Sequence, residues 1–143
     1  MVIDTSALLA ILFNEPEAEH FEAALDADPT RLMSAASLLE TAIVVEARLG
    51  EAGGRELDLL LHQAQIVIVP FTAEQAETAR TAYRTYGKGR HPAGLNYGDC
   101  FAYALAKTSS EPLLFKGSDF PQTDITLWKF PQQEPPPEKN ESG

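Results

Sequence analysis

Four acidic residues occupy positions where a folded chain of alternating strands and helices could bring their carboxylates together. They are Asp4 in "MVIDTS", Glu40 in "SLLETA", Asp99 in "NYGDCF" and Asp119 in "KGSDFP". Carboxylates gathered at one point raise each other's pKa unless a counter-charge is present. Oxygen ligands without converging histidines or cysteines favour Mg²⁺ or Mn²⁺ over Zn²⁺ as that counter-charge. Such ions can align a phosphodiester, lower the pKa of an attacking water and stabilise the leaving oxygen, which is the two-metal chemistry of nucleases.

The apolar pattern predicts the elements that must position these acids. In chain order they are a strand at 1–4, helices at 6–13 and 16–25, a strand at 31–33, a helix at 37–49 that stops at Gly50, a helical segment at 55–65 after a break at Gly53 and Gly54, a strand at 66–70 buried on both faces, helices at 73–86 and 99–107, and strands at 112–115 and 125–128. Strands separated by helices indicate an α/β domain with a mainly parallel sheet covered on both faces. Such sheets bind ligands at the carboxyl ends of their strands.

Three of the acids lie near that edge of the predicted sheet, since Asp4 and Asp119 follow strands and Asp99 opens a helix. Glu40 joins them if its helix turns the right face toward the edge. The neighbours of Glu40 are apolar nearly all round, which predicts that it lies in the least exposed part of its helix.

Each acid also has a purely structural interpretation. Asp4 could cap the first helix, and Asp99 sits in a first helical turn, where acids favour the helix dipole. Glu40 could lie on a solvated helix face, and Asp119 could shape a turn. Asp124 competes with Asp119 for the fourth position. The order of the acids along the chain, rather than any one of them, therefore carries the metal-site hypothesis.

Length and charge limit the classes of protein that remain. The 143 residues, 44% of them apolar, suit one domain at 1–130, followed by "PQQEPPPEKNESG" at 131–143 as a disordered tail. The single cysteine, Cys100, cannot form an internal disulfide, and without a secretion signal or a membrane-spanning stretch we expect a cytoplasmic protein. A net charge of −10 argues against an outer surface that binds nucleic acid non-specifically.

Four segments together resemble the PIN-domain ribonucleases, and specifically the VapC toxins of bacterial toxin–antitoxin pairs. The segments are "MVIDTSALLAIL", "SLLETAIVVEARLG", "GLNYGDCFAYALAK" and "PLLFKGSDFPQTDI", and the resemblance covers residues 1 to about 128. It implies a three-layer α/β/α fold and a metal-dependent endoribonuclease that cleaves structured cellular RNA, either tRNA or rRNA. It also implies inhibition by a VapB-type antitoxin and assembly as a homodimer or a toxin–antitoxin hetero-oligomer.

The resemblance also implies roles for individual residues. Asp4 and Asp99 correspond to the principal metal ligands, Glu40 to the third carboxylate and Asp119 to the fourth, around Mg²⁺ or, as a substitute, Mn²⁺. Thr5 and Ser6 match small hydroxyl residues that bind water or phosphate, with helix capping as an equal alternative. Lys88, Arg90 and His91 are expected to contact RNA phosphates or an acidic segment of the antitoxin, with a merely solvated loop as the alternative. Asn96 and Lys116 are second-rank candidates near the same edge.

Two rival classes make different demands on the sequence. A phosphotransfer domain of the receiver or phosphatase type needs an aspartate nucleophile after an inner strand, often with a second acid one or two positions away, and "VIDTSAL" has no such second acid. A PIN-like scaffold that acts only through a partner would not need all four acids. Unpaired buried carboxylates would only destabilise such a scaffold.

Overall fold

The structure, a computed structural model, describes residues 1–131. Within them the elements follow in the order β1 (Val2–Ile3), α1 (Thr5–Leu12), α2 (Ala18–Ala27), β2 (Leu32–Ser34), α3 (Ala35–Gln63), β3 (Val67–Val69), α4 (Ala73–Tyr86), α5 (Tyr97–Ser109) and β4 (Leu113–Leu114), with a short 3₁₀ turn at Phe120–Gln122. The predicted strands and helices up to residue 115 are therefore present, with bounds that differ by a few residues.

A four-stranded sheet of parallel strands in the order β3-β2-β1-β4 forms the middle of the fold. Val2 of β1 pairs with Leu32 on one side and with Leu113 on the other. Parallel strands require helical crossovers, and the crossovers cover the sheet on both faces. The predicted α/β class with a parallel sheet is confirmed.

Side chains of β1 alternate between two apolar cores. Ile3 faces the core shared with Leu8 of α1, Phe21 of α2 and Leu57 of α3. Val2 faces the opposite core, which contains Ala82 of α4 and Leu105 of α5. Because successive strand residues point to opposite faces, a two-residue strand is enough to tie both helical layers to the sheet. The fold thus has the predicted α/β/α layers.

The predicted break at Gly53 and Gly54 is wrong. The chain bends only at Gly50, where the backbone takes φ 66° and ψ −161°, and both later glycines lie inside the second segment of α3. At Gly53 a β-carbon would come within 2.6 Å of Leu49 Cβ and 2.8 Å of Val45 Cγ1. This glycine therefore permits close packing across the bend and does not end the helix.

Two predictions about strands are also wrong. The segment 66–70 forms an edge strand rather than one buried on both faces, and Val67 is 57% exposed. The segment 125–128 makes a single bridge, in which Leu113 N donates to Thr126 O and Trp128 N donates to Leu113 O. A full strand does not form because β4 itself has only two paired residues.

The predicted tail at 131–143 lies, apart from Pro131, outside the described residues, and the domain boundary at residue 130 stays a prediction. Among the helices of residues 1–131, none combines the length and the apolar character needed to cross a membrane.

Candidate active site

Asp4 lies immediately after β1 and is the N-cap of α1. Its Oδ2 accepts hydrogen bonds from Ser6 N at 3.1 Å and from Ser6 Oγ at 2.5 Å, and the residue is only 5% exposed. Burial raises the pKa of Asp4 to about 6 although these hydrogen bonds lower it, and the charge of Glu40 raises it further. The capping interpretation is therefore correct, but capping alone leaves this carboxylate strongly desolvated.

The two hydroxyl residues after Asp4 have different roles. Thr5 Oγ1 donates to Ser37 O at 3.0 Å and accepts from Thr41 Oγ1, so this buried hydroxyl joins α1 to α3. The expectation that Thr5 binds water or phosphate is wrong, because its hydroxyl already has a buried donor and a buried acceptor. Ser6 Oγ, in contrast, donates to Asp4 and accepts from Lys116 N at 2.9 Å, which links the first acid to the loop after β4.

Asp99 is the third residue of α5 and belongs to a capping box. Its Oδ2 accepts from Asn96 N at 3.0 Å, while Asn96 Oδ1 accepts from Asp99 N at 2.9 Å. Asn96, expected in second rank, is therefore the helix cap. Burial and the nearby carboxylates of Asp4 and Asp119 raise the pKa of Asp99 to about 7, against the hydrogen bond from Asn96. Asp4 and Asp99 thus both have the capping roles of their structural interpretations. In addition, the charge of Asp4 raises the pKa of Asp99.

Glu40 reaches the same place from α3 and lies against the first turn of α5. The nearest atoms to a β-carbon built on Gly98 belong to the Glu40 carboxylate, with Cδ and Oε1 each at 2.9 Å. The prediction that Glu40 lies in the least exposed part of α3 is wrong, because Leu39 and Ile43 beside it are 62% and 60% exposed. Sequence reasoning gave Gly98 no role, although a glycine in the first turn of a helix was a usable signal.

Asp119 completes the group from the loop after β4, and Asp124 does not. Asp119 lies close enough to Asp99 to raise its pKa, and Asp119 makes no capping bond to the 3₁₀ turn that it precedes. Asp124 accepts from Tyr103 Oη and, at 2.7 Å, from Lys107 Nζ. These two donors hold the pKa of Asp124 below its usual range.

The basic side chains expected at the site either pair with glutamates or are exposed to solvent. The Lys116 ammonium pairs with Glu15 and, at 3.2 Å, with Glu17, although its backbone nitrogen bonds Ser6. Lys88 and Arg90 are exposed and form no ion pair with any described residue.

Two further side chains carry groups that could take part in chemistry, His91 in the loop before α5 and Cys100 directly after Asp99. His91 accepts a hydrogen bond from Ala93 N at its Nδ1. That bond leaves Nε2 as its remaining polar atom. Burial and the charge of Asp99 raise the pKa of the Cys100 thiol to about 11. The thiol therefore stays protonated at neutral pH and is not a nucleophile.

The donor set of these four acids fits a hard divalent cation. All its donors are carboxylate oxygens, and no lysine, arginine or histidine within residues 1–131 forms an ion pair with any of the four acids. As they stand, no three Asp, Glu, His or Cys side chains of that region are close enough to surround a metal ion. A cation bound among the carboxylates would reduce their mutual repulsion.

Comparisons with known proteins identify the family of this chain. Residues 1–125 match the family model described as the PIN domain. The chain is 67% identical over 131 residues to Ribonuclease VapC30 of Mycobacterium tuberculosis, which covers 92% of this chain and 100% of that protein. The fold and the sequence therefore define a PIN-domain protein.

Two solved structures share the fold at low sequence identity. The crystal structure of Mycobacterium tuberculosis VapC20, a sarcin–ricin loop cleaving toxin, has a TM-score of 0.72 at 15% identity and covers 90% of this chain and 98% of that chain. A toxin–antitoxin complex from Klebsiella pneumoniae has a TM-score of 0.65 at 19% identity and covers 89% and 95%. Together with the 67% identical relative, the family match shows that the chain belongs to the VapC ribonucleases, the RNA-cleaving toxins of toxin–antitoxin systems.

Proposed function

We propose that this protein is a Mg²⁺-dependent endoribonuclease that hydrolyses phosphodiesters of structured cellular RNA at Asp4, Glu40, Asp99 and Asp119. One observation carries the proposal. Four acids from separate parts of the chain, Asp4, Glu40, Asp99 and Asp119, come together. The charge of Glu40 raises the pKa of Asp4, and the charges of Asp4 and Asp119 raise the pKa of Asp99. No basic side chain of residues 1–131 forms an ion pair with these acids. The family match supports the ribonuclease activity, and the oxygen-only donor set supports Mg²⁺, with Mn²⁺ as a substitute.

Bound divalent ions would supply a polarised phosphate, a water of lowered pKa and a stabilised leaving oxygen. The residues of this chain perform the remaining tasks. Asp4 and Asp99 would hold the cations, and their Oδ2 atoms are oriented by Ser6 and Asn96. Glu40 and Asp119 would contribute either as direct ligands or through water. Ser6 donates to Asp4 through both its backbone nitrogen and its hydroxyl, so its role is orientation.

The net charge of −10 repels RNA phosphates over most of the protein surface. RNA is therefore recognised at a small area that carries positive charge. Lys88 and Arg90, exposed in the loop that precedes α5, offer positive charge for phosphates or for an acidic segment of a partner. Tyr97 is 79% exposed and lies two positions before Asp99, so its ring is available to stack on a base. We place the rim of the RNA site at these residues.

The solved structures with the same fold support a target class and a partner. VapC20 is described as cleaving the sarcin–ricin loop, which supports ribosomal RNA as one candidate substrate, with tRNA as the other. The Klebsiella neighbour is a toxin–antitoxin complex, which supports a VapB-type antitoxin as inhibitor and a hetero-oligomeric or homodimeric assembly. A cytoplasmic location fits both an RNA substrate and an antitoxin partner.

The deciding experiment is cleavage of total cellular RNA by protein freed of any copurifying polypeptide. Wild type, Asp99→Asn and Asp58→Asn are each incubated with Mg²⁺, with Mn²⁺ or with chelator. Asp58 is an exposed aspartate of α3 and serves as the matched control. We expect discrete fragments that require metal, disappear in Asp99→Asn and persist in Asp58→Asn. Metal-dependent cleavage retained in full by Asp99→Asn would contradict the proposed site.

A further inference from the structure

Gly98 is a glycine that the backbone does not require. It is the second residue of α5, and it is not among the glycines with positive φ, so an L-residue could adopt its conformation. Alanine favours helices over glycine by about 1 kcal/mol in a helix interior. Neither helix formation nor turn geometry therefore explains a glycine at this position.

The space beside Gly98 is filled by one side chain. A β-carbon there would overlap Glu40 Oε2 and would lie 2.9 Å from both Glu40 Cδ and Glu40 Oε1, closer than real β-carbons approach other atoms. All three nearest atoms belong to the end of a flexible side chain, rather than to backbone. An added methyl group would therefore displace the Glu40 carboxylate without forcing the two helices apart.

We infer that Gly98 is a positioning residue, whose missing β-carbon leaves the space in which the Glu40 carboxylate lies against the first turn of α5 and acts on Asp4. The inference rests on the proposed function and extends it to a residue without a functional group. The charge of Glu40 acts on Asp4, which independently places this carboxylate at the acid cluster. If Glu40 swings away, the cluster keeps its other acids but loses a carboxylate that would bind or orient the cation.

A second glycine of the chain provides a matched control. At Gly54, in the second segment of α3, a β-carbon would come within 2.7 Å of Glu46 Oε1. Gly54 also lacks a positive φ, and Glu46 is exposed. Gly54→Ala therefore creates the same kind of conflict with a glutamate carboxylate, but at the surface and outside the acid cluster.

The test measures Mn²⁺ binding by isothermal titration calorimetry on wild type, Gly98→Ala and Gly54→Ala, with thermal unfolding of each metal-free protein. We expect Gly98→Ala to bind Mn²⁺ at least about 10-fold more weakly, the usual scale for losing a group that orients a metal site. Its thermal unfolding should stay close to that of wild type. Gly54→Ala should bind like wild type, and unchanged binding in Gly98→Ala would overturn the inference.

A double-mutant cycle with Glu40→Ala shows whether the effect passes through Glu40. Once Glu40 is truncated, Gly98→Ala has nothing to displace and should weaken Mn²⁺ binding no further. An equal loss in both backgrounds would overturn the inference. Should Gly98→Ala alone fail to fold, the double variant must fold, and an unfolded double variant also overturns it.

The same series separates the two proposals. If wild type binds no Mn²⁺ and Asp99→Asn cleaves RNA as wild type does, the proposed function fails, and the inference about Gly98 falls with it. If Asp99→Asn loses both Mn²⁺ binding and cleavage while Gly98→Ala retains both, only the inference about Gly98 fails.

Discussion

Helix α5 contributes to two polar clusters in which carboxylates have opposite surroundings. At its first turn, Asp99 lies beside Asp4 and Asp119, and burial together with their charges raises its pKa to about 7. Near its last turn, Asp124 accepts hydrogen bonds from Lys107 and Tyr103, which lower its pKa. Asp124 therefore has a cationic partner in Lys107, whereas no basic side chain within residues 1–131 pairs with the acids at the first turn.

The difference separates a carboxylate used for structure from carboxylates left for a ligand. A buried charge without a partner destabilises a fold, and the chain could compensate it, as Lys107 does for Asp124. Lys116 lies close enough to bond Ser6 through its backbone nitrogen, yet Glu15 and Glu17 hold its ammonium. This comparison supports an external cation at the first turn of α5, and three experiments test it.

The largest expected effect comes from neutralising one acid in each cluster. Asp4→Asn should lower the rate of metal-dependent RNA cleavage at least about 100-fold, the scale on which one transition-state contact acts. Asp124→Asn should change the rate by no more than about twofold. Initial rates on the fragment-yielding RNA measure both. Comparable losses in the two variants would remove the distinction between the clusters.

A smaller effect concerns stability and pH in the presence of chelator. The pKa of Asp4 is raised from its ordinary 3.8 to about 6, so between these values the folded chain binds more protons than the unfolded chain. Its contribution therefore falls as pH rises from about 4 to about 7, by about 3 kcal/mol at about 1.4 kcal/mol per pKa unit. Urea unfolding at several pH values measures the fall, which should shrink in Asp4→Asn.

Asp124 gives the opposite pH dependence and serves as the control. Its pKa is lowered, so its stabilising contribution is present above the ordinary aspartate pKa and is lost as pH falls through the lowered value. Asp124→Asn should reduce the loss of stability on the acid side and leave the fall between pH 4 and 7 unchanged. A fall that persists undiminished in Asp4→Asn would show that the first acid is not desolvated as described.

The smallest expected effect comes from removing one hydroxyl. Tyr103→Phe deletes the Oη donor to Asp124 but leaves Lys107 in place. We expect a loss of about 1 kcal/mol in the free energy of unfolding, the usual contribution of one hydrogen bond, with cleavage and Mn²⁺ binding unchanged. Urea unfolding and cleavage rates are the measurements. A marked loss of cleavage would mean that the second cluster also supports the active site.

Sequence reasoning succeeded where local chemistry and chain order were sufficient. Asp4 and Asp119 follow strands of a parallel sheet, and the carboxyl ends of such strands share an edge, so their proximity could be predicted without coordinates. It was less successful where a residue's role depends on what packs against it. For Thr5 the pattern favoured water or phosphate binding and helix capping equally, because its bond to α3 cannot be derived from the sequence.

Glycines show the same limit. The end of the first helical segment at Gly50 was predicted correctly, but Gly53 and Gly54 were predicted to break the helix and lie inside it, because close packing against Val45 and Glu46 and not turn geometry explains these glycines. Gly98 was passed over for the same reason. The exposed Leu39 and Ile43 likewise show that an apolar neighbourhood in sequence does not place a helix face in the core.

The Ser6 hydroxyl connects two segments that carry acids of the site, although Asp4 and Asp119 are more than a hundred residues apart in the chain. It donates to Asp4 and accepts from Lys116 N, so the loop that leads to Asp119 is joined to the start of α1. The Lys116 ammonium also pairs with Glu15 and Glu17, so this residue near the start of that loop is held at two points. These contacts fix the start of the loop before any ligand arrives, so binding has less conformational entropy to overcome.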